Sequence, residues 1–284
     1  MKKISLLLIL CLLICLCSCG SKTDEEETTT EGVTYDSIYV EDVNGDYVPA
    51  FDGVEQSKLD PKLFVKDEKD RMIYSDSSVK TASGIDVSEF QGEIDWEKVR
   101  ADGIDFVILR AGCRGYGPSG LIYGDDKFLE NYEAARAVGL EVGAYFFSQA
   151  ISPEEAVEEA QFVIDLVEGL ELTYPIAYDW EHVEDETART ADMTGEEITA
   201  CGKAFCETVE QAGYTPQIYF NCEHGYFGYD LPEVNRFDFW LAEFNDLPTF
   251  FYNYTIWQYS ETGTVDGIDS TVDMNIAVFP YMQG

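Results

Sequence analysis

The sequence has few basic residues for its size. Its 284 residues include 18 lysines and arginines against 55 aspartates and glutamates, which gives a net charge of −37 at pH 7. Residues 81–284 account for most of this excess, with 39 acidic and nine basic residues. Such a charge repels polyanions, so nucleic acid is excluded as a partner, and electrostatic binding to anionic lipid is disfavoured. We interpret the excess of acids as a solubility feature.

Histidines are also few, and no cysteine spacing in the sequence suits metal binding. The chain has only two histidines, and its eight cysteines form no CxxC pair and no Cys/His spacing suited to zinc. We therefore expect no metal site, and His182 and His224 to be structural or solvent-facing. Four cysteines precede residue 20; the others are Cys113, Cys201, Cys206 and Cys222.

The later cysteines are expected to be free thiols. Cys201 and Cys206 lie five residues apart in a predicted helix, about 140° around its axis and about 7.5 Å along it, so they cannot bridge each other. One disulfide remains an alternative if the protein is extracytoplasmic.

No apolar run in the sequence is long enough to span a membrane. Residues 4–16 form an apolar run of 13 residues after Lys2 and Lys3, which is typical of a signal peptide and shorter than the roughly 20 residues of a spanning helix. The run ends in Leu16-Cys17-Ser18-Cys19-Gly20, which resembles the lipobox of bacterial lipoproteins. We predict a lipoprotein signal peptide over residues 1–19, with lipidation of Cys19 and anchoring to the outer face of the bacterial cell membrane. An ordinary cleaved signal is the alternative.

The next two segments have little to bury. Residues 20–46 carry nine acidic residues and one basic residue, a composition that favours an extended, disordered tether. Residues 47–80 contain scattered apolar residues that could support a strand or two. We interpret them as a partly ordered arm that packs on the main domain.

Residues 81–284 are long enough for one large α/β domain. Alternating patterns predict strands at residues 85–87, 106–110, 142–147, 175–180, 217–221, 239–242, 255–259 and 271–274. Helices are predicted at residues 128–138, 152–168 and 194–212, and none after the fifth strand. This order indicates an irregular (β/α) barrel of the TIM type, with helices missing after the later strands. An open doubly wound sheet is the alternative, but it would normally have a Gly-rich phosphate loop after its first strand, and none is present.

Four acidic residues lie at or near strand ends, where a barrel of this type carries its functional groups. They are Asp86, Asp179, Glu181 and Asp273. Any one of them alone could simply cap the following helix. Asp179 and Glu181 differ, because residues i and i+2 of a strand share a face. Two neighbouring carboxyls favour retention of one proton, which is the condition for acid catalysis of acetal cleavage.

Aromatic residues also lie near the strand ends, where their faces could stack on sugars or belong to the core. They are Tyr145, Tyr178, Tyr219, Trp240, Trp257 and Tyr259.

The sequence contains, in this order, the segments GIDVS (84–88), QGEIDW (91–96), FVILRAG (106–112), GAYFFS (143–148), DWE (179–181), IY (218–219), WLA (240–242), WQY (257–259) and VDMN (272–275). Through these segments, residues 82–279 resemble glycoside hydrolase family 25, the lysozymes (muramidases) of phage and bacterial type. Many relatives have His in place of Phe146 and Tyr in place of Cys113, from which we expect altered groove contacts.

The resemblance implies hydrolysis of the β-1,4 bond between N-acetylmuramic acid and N-acetylglucosamine in peptidoglycan, without a cofactor. It implies Glu181 as the general acid and Asp179 as the group that stabilises the oxocarbenium-like state or orients the substrate's acetamido group. Asp86 and Asp273 would line the same pocket. Sugar contacts are expected from Tyr145, Tyr219, Trp240, Trp257 and Gln258. We expect a monomer that acts on peptidoglycan glycan strands; a non-catalytic wall-binding lipoprotein and a glycosidase of another polymer, such as chitin, are the alternatives.

Overall fold

The computed structural model describes residues 38–278. The signal peptide over residues 1–19, Cys19 and most of the predicted tether lie outside the described residues. Within residues 38–278, no helix has both the length and the apolar character that crossing a membrane requires.

Two small hairpins precede the barrel. Strands β1 (Tyr39–Glu41) and β2 (Tyr47–Pro49) pair with each other, and so do β3 (Phe64–Lys66) and β4 (Met72–Tyr74). The first hairpin turns at residues 42–46, where Asp42 Oδ1 accepts the backbone N–H of Asn44 at 2.8 Å. This hairpin crosses residue 46, the predicted boundary between tether and arm, so a strand begins inside the segment that composition alone predicted to be disordered.

Eight strands close into a barrel, as the sequence pattern predicted. They are β5 (Thr81–Val87), β6 (Phe106–Arg114), β8 (Glu141–Ser148), β9 (Ile176–Trp180), β10 (Pro216–Asn221), β11 (Asp238–Ala242), β12 (Ile256–Gly263) and β13 (Val272–Val278). The ring closes in that order because β13 and β6 both pair with β5. Strand β7 (Ile122–Gly124) is an additional antiparallel neighbour of β6.

Within residues 38–278, helices follow only the first five barrel strands. They are α1 (Trp96–Ala101), α2 (Phe128–Ala137), α3 (Pro153–Leu166), α4 (Gly195–Gln211) and the four-residue α5 (Leu231–Val234). Among the described residues no helix follows β11 or β12, which confirms the predicted irregular barrel. The short α5 after β10 was not predicted, because four residues are too few for a periodic pattern. The two longest helices begin where their caps predicted: Ser152 accepts from the backbone of Glu155, and Thr194 forms a capping box with Glu197.

The last barrel strand runs against the others. Neighbouring strands of the eight-stranded ring are parallel from β5 to β12, whereas β13 is antiparallel to both β12 and β5. The first residues of β13 therefore lie at the barrel end where the other strands finish. The register sets Asp273 directly opposite Asp86, so the reversal brings Asp273 to the same rim as the other three acids.

Aromatic rings fill the barrel interior at the end where the parallel strands begin. The rings of Phe106 and Tyr174 stack with centroids 4.3 Å apart. Gly84 leaves the room for this packing, since a Cβ at that position would lie 2.2 Å from the Phe106 ring. Because this end is filled, any cavity inside the barrel must lie at the opposite end, where the parallel strands finish.

The second hairpin packs against the barrel wall beside the strands that lack helices. Phe64 contacts Trp257 with ring centroids 5.0 Å apart, and Arg71 forms a buried ion pair with Asp102. Backbone bonds between Ser57 and Phe251 and between Asn253 and Glu55 connect the preceding loop to the barrel.

Candidate active site

A cavity of about 110 Å³ opens at the end of the barrel where the parallel strands finish. Every barrel strand contributes to its lining. The lining residues are Asp86, Arg110, Tyr145, Phe147, Asp179, Glu181, Tyr219, Trp240, Gln258 and Asp273. The barrel thus brings together the four acids that the sequence places far apart along the chain.

Asp179 and Glu181 enter the cavity from the end of β9. Ala177 packs inside the barrel below them, whereas Tyr178 and Trp180 face the helices, as strand alternation requires. The Trp180 ring packs edge-on against His224, with centroids 5.2 Å apart. Asp179 is 5% exposed, whereas Glu181 is exposed at the mouth. The pair therefore has one deep and one accessible carboxyl.

Burial is the main cause that raises the pKa of both carboxyls. For Asp179, burial comes first, followed by the charges of Glu181 and Asp86, and its pKa lies well above the ordinary value. For Glu181, whose side chain is exposed at the mouth, desolvation of the carboxyl by the surrounding protein again comes first, and the charge of Asp273 raises its pKa further. The interaction between the two carboxyls raises the pKa of Asp179 and lowers that of Glu181. Such a pair retains one proton in a pH range where isolated carboxyls have lost theirs.

Asp86 is the meeting point of two hydrogen-bond chains. Its Oδ2 accepts from Gln258 Nε2 at 2.9 Å and from Asn275 Nδ2 at 2.7 Å. Tyr219 donates its hydroxyl proton to Gln258 Oε1 at 2.9 Å, and Trp240 donates Nε1–H to Asn275 Oδ1 at 2.8 Å. All of these donors are neutral, so they orient the carboxyl without neutralising it. Asn275 is fully buried in this role and was not predicted as a site residue.

Asp86 and Asp273 form a second carboxyl pair across the β5–β13 seam. Burial raises the pKa of Asp86 well above its ordinary value, and the charge of Asp273 adds to the shift. Burial also raises the pKa of Asp273, and the charge of Glu261 adds to it.

Among the described residues that line the cavity, Arg110 carries the only positive charge. Its Nε donates to Asp125 Oδ2 at 2.8 Å and its Nη2 to Glu89 Oε1 at 3.0 Å. Arg110 ends the strand predicted at residues 106–110 but was not among the predicted site residues. The alternation rule applied to Asp179 would have found it, because Arg110 lies two residues after the inward-facing Ile108.

The predicted sugar-binding residues divide into two groups. Tyr145, Tyr219, Trp240 and Gln258 line the cavity. Trp257 does not: it is fully buried, its Nε1 donates to the backbone carbonyl of Glu243 at 2.8 Å, and its ring packs on the arm. The physical reason is alternation along β12, since Gln258 faces inward and its neighbours face outward.

The two departures from the family pattern also differ in position. Phe146 is fully buried and packs against Phe162 of α3, with centroids 5.9 Å apart. The expectation that Phe146 alters groove contacts is therefore wrong, because Tyr145 and Phe147 are the residues of β8 that face the cavity. Cys113 is half-buried beside Arg110, Glu89 and Asp125 at the rim.

The remaining cysteines and histidines lie away from the cavity lining. Cys113, Cys201, Cys206 and Cys222 are all free thiols, so no disulfide joins them. His182 is exposed, and His224 is partly buried against Trp180. In residues 38–278 no group of three or more His, Cys, Asp or Glu side chains is arranged to hold a metal ion.

Comparison with known proteins agrees with this geometry. Residues 85–268, more than half of the chain, match the model of glycosyl hydrolases family 25. An autolytic lysozyme from Clostridium acetobutylicum is 26% identical over 198 residues, covering 68% of this chain and 54% of that protein. Lysozyme M1 from Streptomyces globisporus is 28% identical over 205 residues, covering 68% of this chain and 66% of that protein. The chain thus spans about half to two thirds of the length of these relatives.

Solved structures show the same barrel. The lysozyme from Streptomyces coelicolor has a TM-score of 0.56 at 26% identity, covering 70% of this chain and 92% of that chain. A modular autolysin from Streptococcus pneumoniae, solved with a synthetic peptidoglycan ligand, has a TM-score of 0.63 at 22% identity and covers 84% of this chain and 56% of that chain. The site geometry, the family model and these structural likenesses lead to one conclusion: the chain belongs to glycosyl hydrolases family 25.

Proposed function

We propose that the protein is a lysozyme (N-acetylmuramidase) that hydrolyses the β-1,4 bond between N-acetylmuramic acid and N-acetylglucosamine in bacterial peptidoglycan. The observation that carries the proposal is the pairing of a deep Asp179 with an accessible Glu181 at the end of one strand. Both carboxyls have a raised pKa and line the barrel cavity of a family 25 chain. The lysozymes among its relatives support the choice of bond.

In this proposal Glu181 protonates the departing glycosidic oxygen, since it is the member of the pair that a substrate can reach. Asp179, held deeper, stabilises the positive charge that develops on the sugar or orients the acetamido group for attack. In the free protein, desolvation favours the proton on Asp179, the more buried carboxyl. Because the two carboxyls interact directly, that proton can pass to Glu181 when the sugar arrives and Asp179 becomes ionised.

The other lining residues would position the sugar. Asp86 is fixed by Gln258 and Asn275 through one carboxyl oxygen, so its other oxygen would be left for the substrate in the cavity that Asp86 lines. The hydroxyls of Tyr145 and Tyr219 and the edge of Trp240 supply polar and stacking contacts. We therefore assign catalysis to the two carboxyls of β9 and substrate orientation to the remainder.

The test is digestion of purified peptidoglycan by residues 20–284, followed by mass spectrometry of the reducing ends. Glu181→Gln keeps the shape of the side chain and removes the transferable proton, so turnover is expected to fall about 100-fold or more. Glu184→Gln is the matched control, because Glu184 is an exposed acid three residues away that does not line the cavity.

Each outcome distinguishes the alternatives. Products ending in N-acetylmuramic acid, lost in Glu181→Gln and retained in Glu184→Gln, support the proposal. Binding to peptidoglycan without release of fragments would favour the non-catalytic wall-binding protein. Products ending in N-acetylglucosamine would mean that the fold is right and the bond assignment is wrong.

We also propose that the protein acts outside the cell, anchored to the outer face of the membrane through a lipid on Cys19, and that it acts as a monomer. The apolar run over residues 4–16 and the pattern from Leu16 to Gly20 support the anchor, and two or three acyl chains hold a protein firmly on a bilayer. Cys19→Ala should move the protein from the membrane fraction to the soluble fraction, whereas Cys17→Ala should not. Equal membrane association of Cys19→Ala and the unaltered protein would refute the anchor, and sedimentation of residues 20–284 tests the monomer.

A further inference from the structure

Phe90 is a large apolar ring presented to solvent beside the candidate active site. It is 76% exposed, although transferring a phenyl ring from water to an apolar contact is favourable. A short turn, Glu89–Gln91, holds it in place. Ser88 Oγ accepts the Phe90 N–H at 3.3 Å, and Gln91 Oε1 accepts the Ser88 N–H at 2.8 Å. Hydrogen bonds between neighbouring residues thus fix the turn that carries the ring.

One face of the Phe90 ring contacts Arg110, the cationic residue of the site. The guanidinium carbon of Arg110 lies 4.6 Å from the centre of the Phe90 ring. Arg110 also lines the cavity and is fixed by Glu89 and Asp125. This cation–π contact places the ring at the β5–β6 side of the mouth.

A second exposed ring stands on a similarly anchored loop after β11. Phe244 is 50% exposed. The buried carboxylate of Glu243, the preceding residue, accepts the backbone N–H of Thr249 at 2.9 Å, and its carbonyl accepts Trp257 Nε1–H. Phe244 also lines a neighbouring cavity of about 380 Å³ between the arm and the end of β12, so there is room for a bound chain on this side.

The strand order places the two rings across the mouth from each other. Phe90 stacks on Arg110 of β6, and Phe244 follows β11. In the ring of eight strands, β11 is four positions from β6, so the two strands lie on opposite sides of the barrel. Asp179 and Glu181, on β9, stand at the mouth between them.

We propose that Phe90 and Phe244 are sugar-stacking platforms at the two ends of a glycan groove that crosses the barrel mouth, so that the enzyme holds an extended glycan strand on both sides of the bond it cuts. The C–H faces of pyranose rings are the ligands that suit such platforms. This inference rests on the proposed function, because it names how the same site would bind a polymer. Single exposed apolar residues are ordinary on proteins, but here both rings lie on hydrogen-bonded segments that follow β5 and β11, at the barrel end where the parallel strands finish.

The experiment measures cleavage of peptidoglycan glycan oligosaccharides of defined length, labelled at the reducing end, by residues 20–284 and by Phe90→Ala and Phe244→Ala. Each variant should lose about fivefold to tenfold in kcat/KM on long chains, mainly through KM, and the loss should grow with chain length. The two variants should shift the preferred cleavage position toward opposite ends of the oligosaccharide. Phe90→Trp and Phe244→Trp, which keep an aromatic face, should restore most of the loss.

Tyr47→Ala is the matched control, since Tyr47 is an exposed aromatic residue (68%) on the first hairpin. Losses in Phe90→Ala or Phe244→Ala no larger than in Tyr47→Ala, or losses equal at every chain length, would overturn the inference. So would shifts of the cleavage position toward the same end in both variants. These results require an active parent enzyme; a parent inactive on every chain would instead refute the proposed function itself.

Discussion

Replacing Phe64 with alanine tests whether the arm is a working part of the barrel. Phe64 is 3% exposed and lies between Tyr74 and Trp257, with ring centroids 4.8 and 5.0 Å away. Burial of a phenylalanine side chain removes about 150–250 Å² from water, which corresponds to about 4–6 kcal/mol at about 25 cal/mol per Å². Measured Phe→Ala losses of about 3–5 kcal/mol in protein cores agree with this range.

Urea unfolding, followed both by tryptophan fluorescence and by far-UV circular dichroism, measures the loss. We expect Phe64→Ala to lower the free energy of unfolding by about 3–5 kcal/mol if the arm and the barrel unfold together. If the arm detaches first, the two probes will separate, and the arm will become sensitive to protease while the barrel stays folded. The proposed peptidoglycan hydrolysis should decline in both cases, because the arm packs beside the strands that carry Gln258 and Asp273.

Val65→Ala is the control, because Val65 follows Phe64 on β3 and is 41% exposed on the opposite face. It should cost less than about 1 kcal/mol. A Phe64→Ala loss as small as that of Val65→Ala, with coincident probes and unchanged protease sensitivity, would refute the packing of the arm on the barrel.

Two further predictions concern pH. Burial is the first cause that raises the pKa of Glu181, and the charge of Asp273 adds to it. Asp273→Asn removes that charge, so the basic limb of the pH profile of kcat/KM should move to lower pH. A basic limb at the same pH in both proteins would contradict the effect of Asp273 on Glu181. Burial raises the pKa of Glu159, which bonds Arg114 and Ser148, from its ordinary 4.5 to about 7. The folded protein then binds this proton more tightly than the unfolded chain, so this contribution to stability is present below about pH 4.5 and is lost as the pH rises through about 7. Unfolding in urea across this range should show a shallower pH dependence for Glu159→Gln, and an equal slope in both proteins would contradict the shift.

Much of the barrel was predictable because its signals are local. Apolar runs and caps such as Ser152 and Thr194 depend on neighbouring residues alone, and they located the strands and the two longest helices. The extent of the last strands was less predictable: β13 continues to Val278, beyond the predicted residue 274, because its pairing with β12 and β5 stabilises residues that carry no strong strand signal of their own.

The packing of the arm was the least predictable part of the fold. Its strands have three residues each, too short for a periodic pattern to be recognised. What orders them is contact with distant residues, such as Phe64 with Trp257 and Arg71 with Asp102. The same contact explains why Trp257, an aromatic residue in a family motif, packs outward instead of lining the cavity.

The sequence by itself determined the pairing of Asp179 with Glu181, because strand alternation depends only on the spacing of residues along one chain. It also determined the order of the strands and the absence of helices after the later ones. Only the tertiary structure decided that β13 runs in reverse, which brings Asp273 to Asp86. It likewise decided which donors reach Asp86, since Gln258 and Asn275 come from strands more than 170 residues away in the chain. Such contacts depend on how the barrel closes, and no local pattern records that closure.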